Sequence, residues 1–405
     1  MTATASIDPL GPGPDSTSTE IDSSALSLVR NDLLIRAQRA VGLAPAHGLG
    51  VARRALFFAL VTWVPLALWA AIEGLPLRGG VGEPLSSHFG IHVRCLVAIP
   101  LLVVAEGVSH AITTRLVPEF VHGGFVAGPA RAGFVESLTA VARLRDRAFP
   151  WVVLAGLLAA VLVVAPAPAD NHELAWAVAK TGGFGFGGFW FTWVIRPVFT
   201  ILLLAWLWRL ILAIVLSARL ARLDLALAPT HPDGAAGLGF LEALPIAFSP
   251  VILAISTVLA SRWSHDVLYH GVHVETLRMP MIAFGVTCLV LFLAPLLPWL
   301  RVLAGVKRRA ELEYGALVAE HGRLVRRRWI EHARVEDEAI LSAPEIGPVA
   351  DTLPIFESVR KMHVVPIGRR SLAAILLPAA LPQLAVIGIE VPVKELLLGL
   401  LKALA

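Results

Sequence analysis

Seven apolar stretches, separated by loops whose arginines fall almost wholly on alternate sides, constrain this chain to thread back and forth through lipid. A helix needs about 20 apolar residues to cross roughly 30 Å of hydrocarbon. Residues 55–72, 92–112, 189–217, 240–260 and 281–303 meet that length or nearly so, 151–167 is short, and 371–389 is broken by Pro378 and Pro382. Arg36, Arg39, Arg53 and Arg54 precede the first stretch, and Arg131, Arg143, Arg145 and Arg147 lie between the second and third. Arg219 and Arg222 follow the fourth, and Lys307, Arg308 and Arg309 follow the sixth. Basic residues in short loops resist translocation, so these loops and the N-terminus are predicted to be cytoplasmic. The opposite loops hold only Arg78, Lys180, Arg262 and Arg278. Trp190 and Trp193 at one end of the fourth stretch, with Trp206 and Trp208 at the other, are expected to form two interfacial aromatic belts.

Composition excludes the main competing classes. A chain that is 57% hydrophobic and 16% charged, with mean hydropathy +0.74, exposes more apolar surface than a soluble core can hide. The pI of about 9.4 comes from short basic clusters beside apolar runs, which reads as loop anchoring and not as nucleic-acid binding. Cys95 and Cys288 both lie inside apolar runs, so neither a disulfide nor a thiolate metal site is expected. Walker A, His-Glu-x-x-His, Gly-x-Ser-x-Gly and Cys-x-x-Cys signatures are missing, so no enzyme and no cofactor is expected.

The predicted architecture is an all-α polytopic membrane bundle. Residues 1–27 read as a disordered tail without a signal peptide, and residues 28–305 as a six-helix membrane domain. Within it, a helix near 130–147 places Phe134, Leu138 and Val141 on one face and should lie along the inner interface. Residues 306–370 form a cytoplasmic helical extension, in which Leu317 and Leu324 suit either an oligomer seam or packing on the same subunit. Residues 371–405 supply a Pro-broken seventh segment, expected to cross, and a terminal amphipathic helix.

An ionised side chain inside the membrane costs about 2.5–3.5 kcal/mol on insertion scales, so each one asks for a partner or a wet cavity. Glu106 lies in the cytoplasmic half of the second helix, His110 is one turn further on, and Arg209 of the fourth helix reaches a similar depth. Two readings follow: a structural Glu106–Arg209 pair, or an ion relay through Glu106 and His110. Near the outer face Glu73, Arg94 and Arg196 share a depth, and Pro197 frees a carbonyl beside Arg196. The loop 229–240 combines prolines, an Asp-Gly turn and two further glycines. Asp233 can cap the next helix there, or Thr230, His231 and Asp233 can hold a cation or form an inner gate. His88, His92, His172, His265, His270 and His273 fall on outer loops, where solvated side chains are the simpler expectation than a metal site.

The Trp-Leu-Trp-Arg ending at Arg209, Arg222-Leu-Asp-Leu, the Pro-Thr-His-Pro-Asp-Gly loop at 229–234 and Val365-Pro-Ile-Gly-Arg-Arg carry a resemblance. Over roughly its second half, the chain resembles a family of uncharacterised bacterial multipass membrane proteins. That resemblance implies the architecture and no activity. Broken helices with ionisable residues at two depths predict a channel or secondary transporter for a small ion in a bacterial inner membrane. The alternative is a non-transporting scaffold or sensor whose cytoplasmic extension docks a partner.

Overall fold

The computed structural model describes residues 27–30, 32–72, 88–164, 178–179, 183–333 and 348–390. The expected N-terminal tail, Glu73, the terminal amphipathic helix, and Arg78, His172 and Lys180 of the outer loops all lie outside them. The described chain is helical apart from a two-residue antiparallel ladder, Val178–Ala179 with Gly183–Phe184. In chain order the helices are α1 Leu33–Ala40, α2 Val51–Ile72, α3 Phe89–His122, α4 Ala130–Asp146, α5 Ala148–Val164, α6 Phe186–Leu220 and α7 Gly239–Tyr269. They continue with α8 Val274–Leu293, α9 Leu297–Trp329, α10 Pro348–Lys361 and α11 Arg369–Glu390. Six helical stretches are long and apolar enough to cross a membrane: α2, α3, α6, α7, the α8–α9 run and α11. Helix α5, the short third segment, is apolar throughout but shorter than these. The chain is a multi-pass membrane protein.

The arginine-bearing connections meet at one end of the bundle. Arg36 donates to the Asp146 carbonyl at 3.2 Å, and Arg145 to the Ser27 carbonyl. Ala226 N–H bonds the Phe125 carbonyl at 2.9 Å, and His363 N–H bonds the Gly234 carbonyl at 2.7 Å. At the opposite end Trp63 donates to His92 at 3.0 Å, and the His88 and His265 rings lie 6.0 Å apart. Alternation of loop charge in the sequence thus becomes segregation of charge in space.

Helix α11 runs the full length of the bundle, as expected of a crossing segment. Ser371 Oγ donates to the Glu242 carbonyl at the arginine-rich end, and Glu390 accepts from Val274 N–H at the other. Pro378 is tolerated because a neighbouring serine replaces what it removes. Pro378 has no N–H for the Ala374 carbonyl, and Ser249 Oγ of α7 donates to that carbonyl at 2.5 Å. One turn on, before Pro382, Ser256 Oγ donates to the Ala379 carbonyl at 2.7 Å. Ser249→Ala should therefore cost about 1 kcal/mol. Thermal unfolding of Ser249→Ala beside an exposed control such as Thr139→Ala reads that loss.

The first half of the bundle is a tandem repeat that the sequence reading missed. Helices α4, α5 and α6 begin at a constant offset from α1, α2 and α3: Ala130 from Leu33, Ala148 from Val51, Phe186 from Phe89. The correspondence extends to an interruption. A π turn occupies Arg94–Ala98 in α3 and Phe191–Ile195 in α6, each followed one residue later by a proline, Pro100 or Pro197. Ile99 N–H bonds the Arg94 carbonyl and Pro100 has no N–H, so the Cys95 carbonyl loses its intrahelical donor. Arg196 N–H bonds the Phe191 carbonyl, and Pro197 leaves Thr192 in the same state.

Helix α4 presents the predicted face: Phe134, Leu138 and Val141 are buried. Helix α9 follows a 3-10 turn, Ala294–Leu296, keeps Trp299 and Leu303 in the core, and packs against α10 of the same chain. Lys307 Nζ of α9 closes that hairpin by donating to the Arg360 and Met362 carbonyls, both at 2.9 Å, at the end of α10 where carbonyls have no helical donors. Leu324 is half-buried and Leu317 is exposed, which suits packing on the same subunit.

Candidate functional site

Four charged side chains, none more than 2% exposed, meet near the arginine-rich end. Helix α3 supplies Glu106, α6 supplies Arg209, the first turn of α2 supplies Arg54, and the N-cap of α1 supplies Asp32. Glu106 Oε1 accepts from Arg209 at 2.8 Å, and its Oε2 lies 2.5 Å from Arg54 Nη1. Arg209 also donates to Asp32 Oδ2, from Nη2 at 2.6 Å and Nε at 3.1 Å. Two guanidinium groups and two carboxylates sum to zero, which is the condition for holding charge out of water.

Each member is positioned by its own element. Asp32 has extended backbone geometry, and its Oδ1 accepts from Ile35 N–H at 2.9 Å, capping α1. Its second oxygen is thereby left to face Arg209. The Trp206 ring stacks 4.9 Å from the Arg209 guanidinium, and its indole N–H donates to the Leu102 carbonyl at 2.9 Å, tying α6 to α3. Gln38 Oε1 accepts from Arg54 Nε, and the Leu49 carbonyl accepts from Arg54 Nη1 at 3.3 Å. The segment around α1 is further fastened where Ser27 Oγ meets His110 Nδ1 at 2.9 Å.

The expected Glu106–Arg209 pair is present, but it is half of a larger network. Asp32 and Arg54 were outside the sequence reading, which placed Arg54 with the cytoplasmic loop arginines; it is fully buried. A signal was available, since Asp32 opens a helix pattern and Arg54 heads an apolar run. His110 meets Ser27 Oγ through its Nδ1 at 2.9 Å. Trp206 is not an interfacial belt residue either: it is 2% exposed and covers Arg209.

At the opposite end the two π turns come together. Cys95, Ile195 and Ile91 bury against Leu66 and Ala70 of α2, with Trp63, Trp190 and Phe191 around them. The Arg94 guanidinium lies 5.5 Å from both the Phe191 and the Phe199 rings, so a cation of the first repeat rests on aromatics of the second. Arg196 heads the helix that resumes after the second π turn, and Glu73 lies outside the described residues.

The loop 229–240 is a capped turn. Asp233 accepts from the N–H groups of Ala235, Gly237 and Gly239 at 2.8, 3.0 and 2.8 Å, and its carboxylate lies 2.9 Å from His231 Nδ1. Partial burial pushes the Asp233 carboxyl up, but the three N–H donors and His231 more than offset this and hold it below its ordinary value. Gly237 has φ +93° with the Phe125 ring where a Cβ would stand, so only glycine fits there. Thr230 is exposed. Among the described residues no group of three or more His, Cys, Asp or Glu side chains is placed to hold a metal ion. Comparison with family models, with curated proteins and with solved structures returns no match.

Proposed function

We propose that the protein is a channel or secondary transporter for a small ion, with its N-terminus on the cytoplasmic side of a bacterial inner membrane. The observation that carries the reading is the pair of interrupted helices in corresponding positions of a tandem repeat. Transporter sites are commonly built where helices of related repeats break and free backbone groups meet. Here the Cys95 and Thr192 carbonyls, deprived of helical donors, belong to π turns whose residues share one cluster with Arg94 beside it. The four-charge network then acts as a lock at the inner end and not as a relay. Reconstituted into liposomes, the protein should dissipate an imposed gradient of a small ion. Replacing Pro100 and Pro197 together with alanine should restore both helical ladders and abolish the flux while leaving the fold intact. Absence of flux for proton, small cation and small anion alike contradicts the reading.

The second reading, a scaffold or sensor, is favoured by the same charge network, since a neutral, closed cluster needs no traffic to explain it. On that reading the α9–α10 hairpin is the docking element, and the liposomes remain tight.

A further inference from the structure

The charge network is unevenly built. Its three membrane-helix members, Arg54, Arg209 and Glu106, carry a net charge of plus one, and neutrality depends on Asp32, which arrives on the eight-residue helix α1. Even with Asp32 in place, hydrogen-bonding capacity is left over, and most of it is donor; the one buried carboxylate oxygen without a hydrogen bond, Glu106 Oε2, already lies 2.5 Å from Arg54 Nη1. Arg54 Nη2, Arg209 Nη1 and Gln38 Nε2 are buried with no acceptor among the described residues, and the Ser109 hydroxyl, one turn along α3 from Glu106, is also without a partner. Buried guanidinium N–H groups without acceptors are costly, and the species that satisfies them is an acceptor of negative charge. Beside the network, Arg145, which is 4% exposed and paired with Asp146, reaches the Ser27 carbonyl, and His110 bonds Ser27 Oγ, so both fasten the start of this segment.

We infer that Arg54 and Arg209 form an anion-binding site whose resident ligand is the chain's own Asp32 carboxylate, and that a small monovalent inorganic anion occupies the site when α1 withdraws. Asp32 is a tethered ligand, held at high local concentration by its short connection to α2, and a free anion competes with it. The segment from Ser27 to Leu49 thereby acts as a displaceable stopper at the inner end. This inference concerns binding, and it stands whether or not the anion crosses the membrane.

Asp32→Asn tests it, because asparagine keeps the volume and the oxygen that caps α1 while removing the charge that answers Arg209. The probes are chloride, bromide and nitrate against gluconate at constant ionic strength, read by thermal unfolding of the purified full-length protein. The variant should gain about 2 °C or more in the small anions, saturably, with a much smaller response in the unaltered protein. Adding Arg209→Leu should remove the gain. Equal midpoints of the Asp32→Asn variant in chloride and gluconate overturn the proposal. A measurement on the unaltered protein decides the matter if that variant cannot be recovered. Trypsin should cut after Arg36 and Arg39 faster in chloride than in gluconate, and equal rates overturn the proposal.

Discussion

Glu106→Gln is expected to lower the stability of the folded bundle by about 3–5 kcal/mol, the largest single-residue effect in the molecule. The substitution removes the one carboxylate that touches both Arg54 and Arg209 and leaves two buried guanidinium groups against Asp32 alone. What is lost is less the attraction of the pairs than the compensation for a charge that cannot return to water. Adding Arg209→Leu should therefore recover part of the loss, because Arg54 and Asp32 again sum to zero. Thermal or denaturant unfolding of the four proteins in the cycle measures the coupling. Additive losses would mean that the side chains do not act as one network.

Asp233→Ala comes second, at about 3 kcal/mol. One carboxylate satisfies three backbone N–H groups that have no alternative acceptor among the described residues, and the turn they define carries the Gly234 carbonyl to His363 and the Gly237 backbone to Phe125. Hydrogen exchange at residues 234–240 should rise sharply in the variant, with the spans less affected. The pH dependence has a fixed sign. A folded-state value below the unfolded value of about 3.9 means that the contribution is full above that value and fades as pH falls through the lowered folded value. Between pH 5 and 8 the Asp233 carboxyl itself should therefore contribute no pH dependence. Loosening within that range would assign the titration to another group.

The threading of the chain was legible because lipid imposes a length and loop arginines impose a sidedness, and both are written residue by residue. The seventh segment stays helical through Pro378 because Ser249, well over a hundred residues earlier, donates to the freed carbonyl. Such a compensation shows only when two helices are placed side by side. The Glu106–Arg209 pair was legible from depth, since a rise of about 1.5 Å per residue locates both in one layer. Asp32 and Arg54 were not, because a cap residue and a loop-flanking arginine have sufficient local explanations that do not require them to meet. Trp206 was misjudged for a related reason. A tryptophan near a helix end suits an interface, and only the position of Arg209 below its ring turns it inward. The repeat left a faint trace, Phe-Gly followed by a proline at matching distances in 89–100 and 186–197, within sequences that otherwise diverged.

Everything at the arginine-rich end depends on the segment around α1 being part of the packed bundle. Val29 and Ile35 are fully buried and Asp32 is 2% exposed, although an isolated helix of eight residues is not stable in water. Hydrogen exchange of the backbone amides at 35–41, in lipid nanodiscs, tests this most directly. The predicted result is slow exchange, comparable to that of α3, which accelerates to the unprotected rate when Arg209 is replaced by leucine. Fast exchange in the unaltered protein would contradict the account, since Asp32 would then be in water and the buried charges would be left unbalanced.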